Sequence, residues 1–306
     1  MTIGGMTLYQ IALYFLIYSF LGWTLEVVYQ AAEKGLIVNR GFLNGPVCPI
    51  YGVGAVGIFM LIHQIGTDTG RVEDMSLWVT FLGGVILSTL IELVGGFLLD
   101  HFFHARWWDY SKKPLNFHGY ICLEFSLLWG VAIVIVVREI QPFFEDHVET
   151  IVSHHTVWII MGVLYAMYLA DFIVSVSVMN GLNREFASLD KMRSSMRLVS
   201  DGLSERLGEG ALETSQKVGA AKVQSALARA EFKEEMEKNR QEARLSFELS
   251  KAEYQARKDQ FYEKVRARRH FGSGRLLRAF PEMEHHVYSD FMEDLRKYLD
   301  EHSKAE

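Results

Sequence analysis

Four carboxylates stand out for their surroundings. Glu26, Glu92, Glu124 and Asp171 lie in stretches otherwise built from apolar and small residues. A charged side chain deep in a bilayer costs about 2.5–3.5 kcal/mol on insertion scales, so such acids face a partner, a cavity or a pathway. Crowded at low dielectric, carboxylates favour holding a proton or a cation among them. A plainer reading stands beside this one. Glu26 and Glu124 are near enough to the membrane interface to be solvated, and Glu92 and Asp171 can pair with Arg40, Arg106 or His118.

The stretches that must position these acids are long. No charged residue occurs from Met1 to Leu25, between Arg40 and Asp68, between Asp74 and Glu92, between Glu124 and Arg138, or between Glu149 and Asp171. An α-helix needs about 20 apolar residues to cross a hydrocarbon core. Five spans are therefore expected, near 7–29, 47–65, 77–99, 120–138 and 156–179. The first lacks the basic flank and small-residue cleavage site of a signal peptide and is expected to be retained.

Charge divides the chain. Residues 1–181 hold 7 Lys and Arg against 14 Asp and Glu, and residues 182–306 hold 24 against 23. The expected architecture is all-α: a polytopic membrane domain over 1–181, then a cytoplasmic helical domain over 182–306. The Lys and Arg bias of short loops orients such a bundle. Lys34, Arg40, Arg106, Lys112 and Lys113 fall on one side together with the basic flank after residue 181. That side is assigned as cytoplasmic, with the N-terminus outside.

Both irregular segments then face the cytoplasm: NRGFLNGPVCPIYG at 39–52 and RWWDYSKKPLNFHGYICLE at 106–124. Glycines 41 and 45 permit turns closed to other residues, Pro46 and Pro49 delay helix closure, and Asn39 and Asn44 supply amide donors and acceptors. Such a loop is either a shaped turn lining a cavity or a tight connection between antiparallel helices. Trp107, Trp108 and Tyr110 equally suit an interfacial aromatic belt. The candidate binding residues are Glu26, Asn39, Arg40, Asn44, Glu92, Arg106, Asp109, Asn116, His118, Glu124 and Asp171. No catalytic or metal-ligating set is assigned.

An internal repeat is visible. Leu25-Glu26-Val27-Val28 matches Ile91-Glu92-Leu93-Val94, and Gly45-Pro46-Val47-Cys48 matches Gly119-Tyr120-Ile121-Cys122. Membrane transporters often place sites where repeats meet. Cys48 and Cys122 are read as small buried thiols, since two cysteines give no disulfide framework.

Beyond Asn180 the composition favours a long helix or helical hairpin, broken near GLSERLGEG at 202–210. Leu245, Leu249, Ala252 and Ala256 give a short heptad run that makes a coiled-coil homodimer one expectation. Residues 264–278, KVRARRHFGSGRLLR, carry six Lys or Arg and suit an anionic lipid surface. No nucleic-acid module surrounds them, and nucleic acid is not an expected partner.

Phosphate-loop, nucleophile-elbow, zinc-helix and paired CxxC motifs are absent. The chain is expected to carry no cofactor, and ATP would enter only through a separate ATPase subunit. Asp109, Asn116 and His118 leave a lipid-modifying enzyme as a third reading, after a transporter subunit and a non-transporting scaffold acting through its tail.

The ordered set FLGWTLE at 20–26, the segment 39–52, WWDYSKKPLNFHGYICL at 107–123 and SLLWG at 126–130 resembles the bacterial family labelled putative ABC transporter permease, the CmpB-like or type IV group. RLLRAFP at 275–281 also resembles that family's tail. The resemblance implies a multi-pass protein of the bacterial inner or plasma membrane, transport, and a separate ATPase partner.

Overall fold

The structure is a computed structural model that describes residues 2–35, 37–66, 72–151, 154–216, 225–268 and 271–303. The chain opens with strands β1 (Thr2–Ile3) and β2 (Met6–Thr7), which pair antiparallel across Gly4 and Gly5. Thr7 then caps α1 (Leu8–Lys34): its hydroxyl accepts from Gln10 N while Gln10 Oε1 accepts from Thr7 N at 2.9 Å. This reciprocal box satisfies two of the helix's orphan donors. Gly35 ends the helix in the left-handed conformation.

After the first irregular loop come α2 (Pro49–Ile65), a 3-10 turn at Val72–Asp74, and α3 (Leu77–Phe103). The second irregular loop contains β3 (Ala105–Arg106), β4 (Asn116–Phe117) and β5 (Ile121–Cys122). It leads into α4 (Leu123–Ile135), a π-helical turn at Val136–Ile140, and α5 (Gln141–Ile151). The second half holds α6 (His154–Gln216), α7 (Ser225–Ala267), α8 (Ser273–Ala279), β6 (Glu284–His285) and α9 (Ser289–Ser303).

Among the described residues, three helices are long and apolar enough to cross a membrane: Leu8–Ala32, Leu77–Phe103 and His155–Leu198. They carry the first, third and fifth expected spans. The second falls on the 17 residues of α2, a shorter apolar helix. Pro49 begins it, and Gly66, at φ 84°, ends it. The fourth falls on α4, only 13 residues before the π turn. The turn carries Arg138, which donates to Met75 O at 2.8 Å. The helical path continues beyond it, past the expected end at 138.

The chain forms two compact units. The first comprises Met1–Gly181 and Arg268–Arg296. Here α1 packs along α2, α3 along α4, and α2 against α3. Tyr14, Tyr18, Ile58, Phe59 and Ile62 form the main core, and Tyr9 and Leu13 meet Val157 and Met161 of α6 in a second. Small residues let the helices approach. A Cβ on Gly22 would lie 2.1 Å from Tyr51 Cγ. Ile86, Leu90, Val94 and Phe97 of α3, and Ile159, Val163 and Met167 of α6, are exposed. Hydrocarbon would cover such faces in a bilayer.

The charge pattern placed everything beyond 181 in one tail, but Arg268–Arg296 folds with the first unit. Its Leu276, Leu277, Ala279 and Met283 are buried, which accounts for the return.

The second unit comprises Leu182–Ala267 and Lys297–Glu306. Within it α6 and α7 meet where Phe186 faces Phe261 edge-on at 5.7 Å and Arg257 pairs with Glu185 at 3.1 Å. The heptad residues Leu245 and Leu249 are exposed and take no part in this core. The expected break at 202–210 is helical throughout, within α6.

Candidate functional site

The two irregular loops occupy the same end of the first unit. Phe42 of the first packs against Trp107 of the second, ring centroids 5.7 Å apart. In the first loop Asn39 organises the turn. Its Oδ1 accepts from Gly41 N at 2.9 Å and Trp23 Nε1 at 2.8 Å, and its Nδ2 donates to Asn44 O at 2.7 Å. This is the side-chain mimicry of a backbone turn for which Asn is suited.

Asn44 and Gly45 fasten the loop to α6. Asp171 Oδ1 accepts from Asn44 N at 3.1 Å and Asn44 Nδ2 at 2.9 Å, and Oδ2 accepts from Gly45 N at 2.7 Å. Asn44 Nδ2 also donates to Ser175 Oγ at 3.1 Å. The Asp171 carboxylate therefore finds its partners in loop amides, and the expected pairing with Arg40, Arg106 or His118 is replaced.

Sequence reasoning missed Arg275. It is 5% exposed and enters the same loop from α8. Its guanidinium donates to Asn44 Oδ1 at 3.2 Å, Asn39 O at 3.0 Å, Gly41 O at 2.8 Å and Phe42 O at 3.0 Å. Burial pulls its pKa down to about 10, with the nearby Asp171 charge opposing that shift. A base inside a basic run reads as a surface residue. The signal that could have found it is its apolar neighbourhood, GRLLRAF, which suits a buried turn of helix.

Glu26 accepts from Tyr51 Oη at 2.6 Å and lies 3.6 Å from Arg40 Nε, while Arg40 Nη1 donates to Gln30 at 3.1 Å. Glu92 is buried, 8% exposed, on α3. Its Oε1 accepts from Tyr110 Oη at 2.9 Å, and the Trp129 side chain interacts with the same carboxyl. Tyr110 also interacts with the Glu26 charge through space. Burial and the Glu92 carboxylate both push the Tyr110 hydroxyl's pKa upward. The two acids of the repeat thus sit on either side of a tyrosine pair, Tyr51 and Tyr110.

The repeat extends into the loops. Cys48 and Cys122 precede α2 and α4, and both thiols are free and buried. Arg40 and Arg106 share the offset that relates Glu26 to Glu92. Arg106 Nε donates to Asp100 Oδ2 at 3.3 Å, and its guanidinium lies over the Tyr120 ring at 4.7 Å.

The remaining candidates shape the second loop. Asp109 Oδ1 accepts from Ser111 N at 3.0 Å and lies 3.7 Å from Arg106 Nη1. Asn116 donates to Lys113 O at 2.8 Å and accepts from Gly119 N at 3.2 Å. His118 is exposed in a left-handed turn. Glu124 is exposed and pairs with Lys113 at 2.9 Å, outside the Glu26–Glu92 arrangement. Trp108 donates to Tyr120 O at 2.9 Å, and Trp107 is buried against Phe42, Phe103 and Phe280, so these rings are internal struts.

No group of three or more His, Cys, Asp or Glu among the described residues is arranged to hold a metal ion. No curated protein and no solved structure matches the chain significantly. The family described as Putative ABC-transporter type IV matches residues 13–176. That span includes Glu26, both irregular loops, Glu92 and Asp171, and this membrane protein belongs to the Putative ABC-transporter type IV family.

Proposed function

We infer that the chain is the membrane-spanning subunit of a transporter, with a cytoplasm-facing site between the two irregular loops. In this reading five crossings place the N-terminus outside and the tail in the cytoplasm of a bacterial cell. Glu26 and Glu92 supply the negative charge of the site, Tyr51 and Tyr110 orient one oxygen of each, and the Asp171-bound loop forms its wall. ATP hydrolysis belongs to a separate subunit, and exposed Leu245 and Leu249 on α7 offer a seam for a second copy.

One observation carries this reading. Glu92 is a buried acid, held by the Tyr110 and Trp129 side chains, in a helix long enough to cross a membrane. An acid buried there is costly to maintain, and such groups characteristically line pathways. Asp109 and Asn116 are occupied in holding their turn, which weighs against the lipid-modifying reading.

The test is capture of the full chain from native membranes in mild detergent, with mass spectrometry of proteins and lipids. A stoichiometric P-loop ATPase supports the proposal when its ATP hydrolysis is coupled to the chain and uncoupled by Glu92→Gln. Recovery of self-copies and lipids alone overturns it in favour of the scaffold.

A further inference from the structure

The loop that binds Asp171 is completed by a side chain from the far end of the sequence. The carbonyl oxygens of Asn39, Gly41 and Phe42 and the Oδ1 of Asn44 all point at one guanidinium, that of Arg275. Gly272, at a positive φ of 70°, brings its N–H to the same Asn44 oxygen at 3.4 Å. Asn44 therefore touches Arg275 and Gly272 with its oxygen, and Asp171 and Ser175 with its nitrogen.

The same returning segment grips the second loop. β6 pairs antiparallel with β3, placing His285 opposite Ala105 and Glu284 opposite Arg106. His286 N donates to His104 O at 3.0 Å, and His286 Nε2 lies 3.1 Å from Asp100 Oδ1. Between these anchors Phe280 packs on Trp107, ring centroids 6.0 Å apart, and the Arg40 guanidinium lies 5.9 Å from the Phe280 centroid.

Four neutral oxygens hold a buried positive charge here, and no carboxylate among the described residues bonds to it directly. Desolvating a guanidinium is a costly way to brace a loop, and packed apolar side chains achieve it at lower cost. A planar fork of donors instead specifies one loop geometry and can be withdrawn as a unit.

We propose that residues 271–286 are an intramolecular strap across both irregular loops, and that Arg275 is the positioning residue that sets the first loop against Asp171. Withdrawal of the strap frees Asn39–Asn44 and loosens the adjoining turn that ends in Cys48. The inference goes beyond the transporter reading and holds whether or not the chain moves a substrate.

The test uses the full chain in lipid nanodiscs and the two native thiols, Cys48 at 7% and Cys122 at 1% exposed. Maleimide labelling is followed at fixed pH in wild type, Arg275→Ala and Arg275→Lys. Arg275→Ala is expected to speed Cys48 labelling by about tenfold or more through local opening while Cys122 stays slow. Millimolar ethylguanidinium returns Cys48 to its wild-type rate, and Lys, lacking the planar fork, leaves it raised. Unchanged protection of Cys48 in Arg275→Ala overturns the proposal. So does a parallel rise of both thiols that ethylguanidinium does not reverse, which marks general loosening. Neither result bears on the ATPase capture, so the two readings fail separately.

Discussion

Replacing Asp171 with Asn changes one atom in the fastening of the first loop, and the consequence can be worked through. Three N–H groups converge on the carboxylate: Asn44 N and Nδ2 on Oδ1, and Gly45 N on Oδ2 at 2.7 Å. An amide keeps one oxygen. If that oxygen serves Asn44, its NH2 faces the Gly45 N–H, and two donors cannot remain that close. At least one charge-assisted bond is lost, worth about 1.5–3 kcal/mol, and the others lose their ionic component. Loop opening should become easier by about 2–4 kcal/mol, roughly 30- to 1000-fold in the opening equilibrium. Amide hydrogen exchange of the 42–48 segment reads this directly, with α2 peptides as the internal reference. Exchange at Gly45 within about threefold of wild type would refute the assignment of Asp171 as the loop's fastening.

Four other outcomes follow from the same geometry. Gly22→Ala puts a methyl 2.1 Å from Tyr51 Cγ, so α1 and α2 must separate, at about 1–3 kcal/mol; thermal unfolding in detergent should fall by several degrees. Glu92→Gln preserves an acceptor for Tyr110 and should leave the unfolding midpoint near wild type while abolishing transport. Tyr110→Phe removes the donor and should lower the midpoint by the equivalent of about 1–3 kcal/mol. Burial holds the His285 pKa down to about 4 against an ordinary 6.5, with His104 and His286 adding to the shift and Asp100 opposing it. The released strap binds a proton more readily, so its hold is full above pH 6.5 and weakens as pH falls toward 4. Protection of Ala105 and Arg106, corrected for intrinsic exchange, should track that fall, and His285→Gln should flatten it.

The long helices were legible because a run of about twenty residues without charge fits a membrane span and little else. Span length was less so: α2 and α4 are largely apolar, and their ends are set by Pro49, Gly66 and the π turn rather than by hydropathy. Both irregular loops announced themselves through Gly, Pro and Asn. Their closure did not, because Asn44 meets Asp171 across 127 positions and no local pattern encodes that contact. Asp109 and Asn116 were ambiguous by residue type, since the oxygen that binds a substrate also caps a turn. The repeat placed Glu26 and Glu92 in equivalent settings, yet only the structure supplies their tyrosines. Tyr51 comes from the following helix and Tyr110 from the loop, so the sequence symmetry does not carry over to the donors.

The carbonyl cradle also has a schedule. Asn44 and Arg275 are 231 positions apart, and at about 5–20 residues per second a ribosome needs roughly 10–50 s to make the second after the first. Throughout that interval α1 and α2 can insert and pair, but Asn39, Gly41 and Phe42 lack the donor that finishes their turn. The membrane half is thus synthesised with its first loop unsealed, and completion of the tail closes it. A nascent chain interrupted before residue 275 would leave three backbone carbonyls without their native partner, a mark by which quality control could tell an unfinished molecule from a finished one.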